Sequence, residues 1–456
     1  MRPIYVLLPS LLLLILSGCD LSSSSDSGSS GTDSTGVDPI EQIPNAATDW
    51  LKENGHALDT TDPESNLDDL EPLRQIVGDA RVVSLGEATH GTSEFFRMKH
   101  RILRFLVKEM GFTAFAIEAS MPASFKVNEH VQAGTGNPDE RLEGLGFWVW
   151  NTQEVLNQIR WMRDYNQAQN QNVGFYGFDM QYPKMAMEVV VDFIDEVDPD
   201  TVATVQNHYS CYRTYVLSES RDYENAADST LQRCREGVEA VSQLLDEERN
   251  VYTSRAGERR FSFVRQHARV VAQSERSDRL NRGNNHENVR DSAMARNVQW
   301  LLDYLGPDSK IVLWAHNAHV SEAGVQYTSM GTHLDESLGE NLASIGFSFL
   351  EGRANAVDRG IEAVNVPTPA NSSPTSYYEY YFASADASPF LLDLRLAQKG
   401  TDESGWLYGP KQLRSIGAVY DPDHPKRYFY ETNLVSEFDA MIYIEQSTPS
   451  DLLRFD

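Results

Sequence analysis

Cysteine is scarce: there are 3 in 456 residues, and none looks like a nucleophile. Positive charge is also in short supply. Lysine and arginine number 39 against 67 aspartates and glutamates, a formal charge of −28. A nucleic-acid binder needs a basic face against phosphate, so that class is excluded. The acidity favours solubility, suits saline habitats and attracts cationic small molecules. After the first residues no run of about eighteen apolar residues occurs, so the body of the chain does not span a bilayer. There is no Gly-x-x-x-x-Gly-Lys-Ser/Thr and no dinucleotide glycine fingerprint, and no cofactor is expected. A Gly-x-Ser-x-Gly elbow is missing too: Gly346-Phe347-Ser348-Phe349 lacks the second glycine. That disfavours a serine hydrolase of the usual α/β type. Hydrophobic residues make up 41% and charged residues 23%, near the globular average, so a sizeable core can be buried and general disorder is excluded. At about 100–200 residues per domain, the length allows two or three domains, or one large one with an insertion.

The N-terminus reads as a signal peptide. Arg2 gives a positive start, and residues 6–16 are apolar apart from Pro9 and Ser10, too short a run to cross a membrane. Leu16-Ser17-Gly18-Cys19 resembles the lipobox of bacterial lipoproteins. The resemblance implies cleavage after residue 18, lipidation of Cys19, and an exported protein anchored to the membrane, periplasmic or on the cell surface. Residues 19–46 then form a Ser/Gly/Asp tether that cannot offset its ordering entropy. About 25 such residues reach roughly 25–30 Å. The folded domain is placed at 47–456. In an oxidising compartment the remaining pair, Cys211 and Cys234, reads as a disulfide, with two buried free thiols as the alternative.

Four short apolar runs punctuate the body: residues 81–86, 112–117, 173–178 and 310–315. Most are rich in β-branched or aromatic residues and read as buried strands. Helical spacing lies between them, as in Phe95, Met98, Ile102, Leu106 and Met110. Further strand candidates are 344–350, 389–394 and 438–444. Alternating strand and helix predict an α/β fold, a largely parallel central sheet flanked by helices. The stretch from about 183 to 305 shows no convincing strand and reads as a large α-helical insertion subdomain containing both remaining cysteines.

Polar residues follow these strands in a pattern. Glu87 and His90 follow the first, Glu118 ends the second, Asp179 ends the third, and His316 and His319 follow the fourth. In parallel sheets ligands bind outside the carboxyl ends of strands, so all six should converge. Histidine with carboxylates and no nucleophile points to general acid–base work on water. The competing use of Glu87, His90, His316 and His319 is metal binding. The aromatics Phe147, Trp148 and Trp150 read either as core packing or as a wall for an apolar ligand. Arg290 and Asn297 read either as contacts within a helix pair or as contacts in the cleft. His286 lies where it could reach the site; the other histidines have no evident partner.

Ser84-Leu85-Gly86-Glu87-Ala88-Thr89-His90-Gly91, Ala116-Ile117-Glu118-Ala119 and Trp314-Ala315-His316-Asn317-Ala318-His319 resemble the erythromycin esterase family. So do residues 150–155, 161–166 and 290–297, and the resemblance runs from about 47 to 445. It implies an α/β domain with helical additions and a deep cleft, and hydrolysis of a small-molecule ester or macrolide-type lactone, with macrolide resistance as a role. It makes His90 the general base, Glu87 and Glu118 the carboxylates that position it, His316 a further catalytic histidine and His319 a neighbouring one. Lys99 becomes a group that holds a carboxylate or polarises a carbonyl. Asp179, Trp148, Trp150 and Arg290 complete the expected substrate-binding set, with no metal. Two other readings of the same residues are a metal-dependent hydrolase and a non-catalytic ligand-binding lipoprotein.

Overall fold

The four apolar runs become four parallel strands whose residues are all buried: β2 (Val82–Leu85), β3 (Ala114–Ser120), β4 (Gly174–Asp179) and β5 (Ile311–Trp314), β1 being Gly55–Ala57 at the sheet's edge. This is a computed structural model that describes residues 38–218, 223–281, 286–324, 327–358, 360–368 and 373–453. The expected signal peptide, Cys19 and most of the expected tether lie outside the described residues. The remaining strands are β6 (Leu342–Val357), β7 (Ile361–Asn365), β8 (Phe390–Asp393), β9 (Lys411–Arg414), β10 (Phe429–Thr432) and β11 (Ala440–Ser447).

The main sheet runs β1-β8-β11-β6-β2-β5-β3-β4, with β7 paired to β6; β9 and β10 form a separate hairpin. From β11 to β4 every pair is parallel, whereas β8, β1 and β7 run antiparallel to their neighbours. The fold is therefore the α/β class expected, a central, mostly parallel sheet flanked by helices. Parallel strands need both faces covered, which is why they read as continuous apolar runs. Alternate residues feed two cores, one per face: Val82, Ile311 and Leu313 in one, Val83, Val312 and Trp314 in the other.

Helix Ser93–Met110 follows β2 and stops at Gly111, whose φ of 73° suits the left-handed cap. Between β4 and β5 the described residues form helices and no strand, from Lys184–Val197 to His286–Leu305. The disulfide Cys211–Cys234 joins helices Val202–Leu217 and Asp228–Glu247. Two boundaries differ from the sequence reading. The folded body already includes residues 38–46, because Ile43 is 4% exposed and packs into the core ahead of helix Asn45–Asn54. The strand expected at 344–350 extends to Val357, because its second half pairs with β7.

Candidate active site

Register brings the site together. Leu85 and Ile117 are both paired to Trp314, and Ile117 also to Gly177. Glu87, Glu118, Asp179 and His316 therefore stand one or two residues past a common level, at the carboxyl ends of β2, β3, β4 and β5. The order β4-β3-β5-β2-β6 makes this the place where the chain changes direction across the sheet, the usual location of a ligand crevice.

The loop after β2 carries the first dyad. His90 Nδ1 lies 2.6 Å from Glu87 Oε1. Glu87 Oε2 accepts from Lys99 Nζ at 2.6 Å and from Trp314 Nε1 at 2.7 Å. Both oxygens of this carboxylate are engaged, by three donors in all, and it is 0% exposed. It thus keeps a proton on His90 Nδ1 and leaves Nε2 as the basic nitrogen. The imidazole side chain is 11% exposed and stands edge-on to Trp150 at 5.5 Å. The next residue is held in turn. Gly91 O accepts from Asn355 N and Ser450 N, each at 3.0 Å, and a Cβ on Gly91 would meet Asn355 O at 1.9 Å, so only glycine fits.

A second network lies beside it. Arg290 Nη2 donates to Glu118 Oε1 and to Asp179 Oδ2, both at 2.7 Å. Glu118 Oε2 accepts the backbone N–H of His316 at 3.0 Å. His319 Nδ1 lies 2.9 Å from Asp291 Oδ1, and its Nε2 is 3.3 Å from Glu118 Oε1. Burial works against charge on His319, but Asp291 and Glu118 outweigh it and push the imidazole well above its ordinary pKa. Burial likewise raises the Glu118 carboxyl, yet His319 and Arg290 hold it well below the usual range. The network is a fixed polar array around Glu118 in which Arg290 is the permanent cation.

The other expected site residues are held as follows. His316 is bonded at both ring nitrogens: Nε2–H donates to Ile416 O at 3.1 Å and Nδ1 accepts from Ala318 N at 3.2 Å. Burial, with His90 and His319 nearby, pushes its pKa down to about 3. Both nitrogens are bonded within the protein. Lys99 has a side chain with 0% exposure, stacked 4.5 Å over the Trp314 ring, so it serves Glu87 and does not reach a ligand. Burial lowers its pKa to about 8 against the pull of Glu87. Asp179 is buried and spent on Arg290, and Trp150 is buried with its indole N–H on Glu118 O at 2.8 Å. Trp148 remains half-buried beside them. Asn297 bonds Phe178 O, Gln266 and Gln273, tying helices to β4 outside the cleft.

Among the described residues the four proposed metal ligands do not bring their ligand atoms together as one group. Among the described residues, Glu287, Asp291 and His319 do bring ligand atoms together. Arg290 already reaches into that group, with Nη1 at 3.8 Å from Glu287 and 3.1 Å from His319 Nε2. Sequence reasoning missed Asp291 and Trp314 as site residues. Asp291 adjoins Arg290 and Trp314 precedes His316 by two, so both stood inside motifs already singled out.

The erythromycin esterase family model matches residues 107–447, which include Glu118, Asp179, Arg290 and His319 but start after Glu87 and His90. An erythromycin esterase type II of Escherichia coli is 25% identical over 89% of this chain and 99% of its own. A putative hydrolase of Bacillus subtilis is 23% identical over 89% of this chain and 92% of its own. A crystal structure of a Bacillus cereus protein superposes with a TM-score of 0.79 at 28% identity, covering 90% of this chain and 99% of that one.

Proposed function

The chain belongs to the erythromycin esterase family, and from that premise we propose that it hydrolyses a carboxylic ester, a macrolide-type lactone in particular, by direct attack of water activated at His90. The observation that carries this reading is the Glu87–His90 pair, 2.6 Å apart, with a carboxylate engaged at both oxygens on one side and Nε2 left for the cleft. His90 Nε2 takes a proton from water as the oxygen attacks the ester carbonyl. Glu87 stabilises the imidazolium that forms, and no acyl-enzyme is needed. The oxyanion is assigned to the positive field of the Arg290 guanidinium, since Lys99 is sealed beneath Glu87 and both nitrogens of His316 are bonded. Collapse expels the alcohol, which receives the proton from His90. For a lactone, the ring opens to a hydroxy acid. Cleavage of macrolides in the cell would make the protein a resistance determinant. Lipidation at Cys19 would place the domain outside the cytoplasmic membrane.

The test is a panel of linear esters and macrolide lactones incubated with purified protein, read as release of acid and alcohol from an ester and as a mass gain of one water for a lactone. Turnover is expected with the wild type. His90→Asn should fold normally and lose about 10²–10⁴-fold in kcat. A folded His90→Asn protein with near-normal turnover would rule out the role of His90. Binding with no hydrolysis of any ester would support a ligand-binding lipoprotein instead.

A further inference from the structure

The side-chain N–H donors around Glu118 are engaged inside the protein. Arg290 turns Nε and Nη2 to Asp179 and Glu118, and its Nη1 stands 3.1 Å from His319 Nε2 and 3.8 Å from Glu287 Oε2. Trp150 Nε1–H goes to Glu118 O and Trp314 Nε1–H to Glu87. Arg290 therefore offers a substrate oxygen its positive field, with its N–H groups turned to other partners.

One hydroxyl in the array differs. Tyr327 Oη lies 3.4 Å from His319 Nδ1. That nitrogen also lies 2.9 and 3.0 Å from the two oxygens of the Asp291 carboxylate. An imidazole nitrogen facing a carboxylate carries a proton, whichever form the rest of the ring takes. It cannot accept a second one from the phenol. Tyr327 Oη is then only an acceptor towards His319, and its own hydrogen is left over. No other hydrogen-bond partner is found for it among the described residues. Burial first, then the carboxylates of Asp291 and Glu287, push the phenol well above the ordinary tyrosine pKa, so this hydrogen stays in place at neutral pH.

The chain on both sides of Tyr327 is fixed. Thr328 N donates to Asn288 Oδ1 at 2.8 Å and Met330 N to Asp291 Oδ1 at 2.7 Å, two ties to the helix that bears Arg290. Before it, Gly324 is left-handed at φ 58°, and a Cβ there would meet Tyr327 O at 2.6 Å. One helix thus places the Arg290 charge and the Tyr327 hydroxyl together. The Tyr327 ring is half-buried, its centroid 6.2 Å from that of His319, so it borders the array without being sealed in it. The array in turn adjoins the dyad. His319 Nε2 is 3.3 Å from Glu118 Oε1, Glu118 Oε2 accepts His316 N at 3.0 Å, and the His316 ring lies 5.2 Å from that of His90.

We propose that Tyr327 is a further catalytic residue, the direct hydrogen-bond donor to the substrate carbonyl oxygen as it becomes an oxyanion. This rests on the esterase reading of the site. Attack of water at the carbonyl carbon moves the π electrons of the C=O bond onto oxygen. The charge forms in the field of Arg290, and the neutral phenol donates its O–H to it. Collapse restores the C=O bond and expels the alcohol, protonated by His90. Tyr327 neither gains nor loses a proton in the cycle.

The test uses the whole protein and an ester or lactone that the wild type hydrolyses. Tyr327→Phe removes the hydroxyl and keeps the ring. Its kcat should fall about 10²–10³-fold, the loss of one oxyanion donor, with KM and Tm little changed. The second readout is inhibition by the phosphonate analogue of the same ester, whose anionic oxygens mimic the tetrahedral intermediate. Its Ki should rise in Tyr327→Phe by the factor lost from kcat/KM. A kcat within about fivefold of wild type overturns the proposal. A raised KM with kcat retained overturns it too, because the contact then serves ground-state binding. So does a lower kcat with the phosphonate Ki unchanged, because the ring then only supports its neighbours. Wild-type protein that hydrolyses no ester removes the esterase reading and this proposal with it; wild-type turnover that survives in Tyr327→Phe removes the proposal alone.

Discussion

Glutamine at position 87 keeps the shape of the side chain and removes its charge. Glu87 accepts from three donors: His90 Nδ1, Lys99 Nζ and Trp314 Nε1. A glutamine has one oxygen and one NH2 group, so one side must present donors to donors. If its oxygen faces Lys99 and Trp314, its NH2 faces His90 Nδ1 and drives the imidazole proton to Nε2. The base is then blocked by the wrong tautomer, and kcat should fall by about 10²–10⁴-fold with KM little changed. The other cost is in stability. Lys99 is left as a buried ammonium without its carboxylate, a loss of about 3–5 kcal/mol. For a domain of about 400 residues that lowers Tm by roughly 4–6 °C. Adding Lys99→Met removes the stranded charge, so the double variant should recover most of the lost Tm while activity stays low. Ester turnover and thermal melting of the two single variants and the double one form a complete cycle. Turnover of Glu87→Gln within about fivefold of wild type would refute the tautomer argument. A Tm that Lys99→Met fails to restore would refute the charge argument.

Three further outcomes are expected. Lys99 is lowered to about 8, so its ammonium is lost as pH rises through that value, and activity should fall there; Lys99→Arg should remove this alkaline limb in a pH–rate profile, and an unchanged limb would exclude Lys99 as its source. Because the folded pKa lies below the unfolded one of 10.5, the same group's stability penalty is full below about 8 and is relieved as pH rises from there toward 10.5, opposite in sign to its effect on rate. Extended chelation should leave turnover intact, since Arg290 already occupies the one described cluster able to hold an ion; activity lost to chelation and restored by a single metal would recast Glu287, Asp291 and His319 as ligands. Alkylation of the unreduced protein should label neither Cys211 nor Cys234, and opening their bond should cost about 3 kcal/mol by calorimetry; two labelled thiols would contradict the pairing.

Much of the architecture was legible because its signals are local. Parallel strands buried on both faces must be short and apolar, and β2, β3, β4 and β5 read that way directly. Strand-end polar residues could be named for the same reason, since chain direction fixes which end of each strand they occupy. Composition marked the Ser/Gly/Asp stretch but gave too late a start for the folded body, because the burial of Ile43 depends on what packs over it.

The roles of individual side chains were decided only in three dimensions. His90 and His316 look alike in sequence, each placed just beyond a strand. What separates them is what surrounds each ring: Glu87 binds one nitrogen of His90, whereas Ile416, a hundred residues away, and Ala318 take both nitrogens of His316. Lys99 and Arg290 are both cations on helices, yet one is sealed beneath Glu87 and the other joins Glu118, Asp179 and His319. Sequence fixes which groups are present and on which edge of the sheet they emerge. Hydrogen-bond valence, charge balance and exposure belong to neighbours that are distant along the chain, so only the tertiary structure settles which group is free to act.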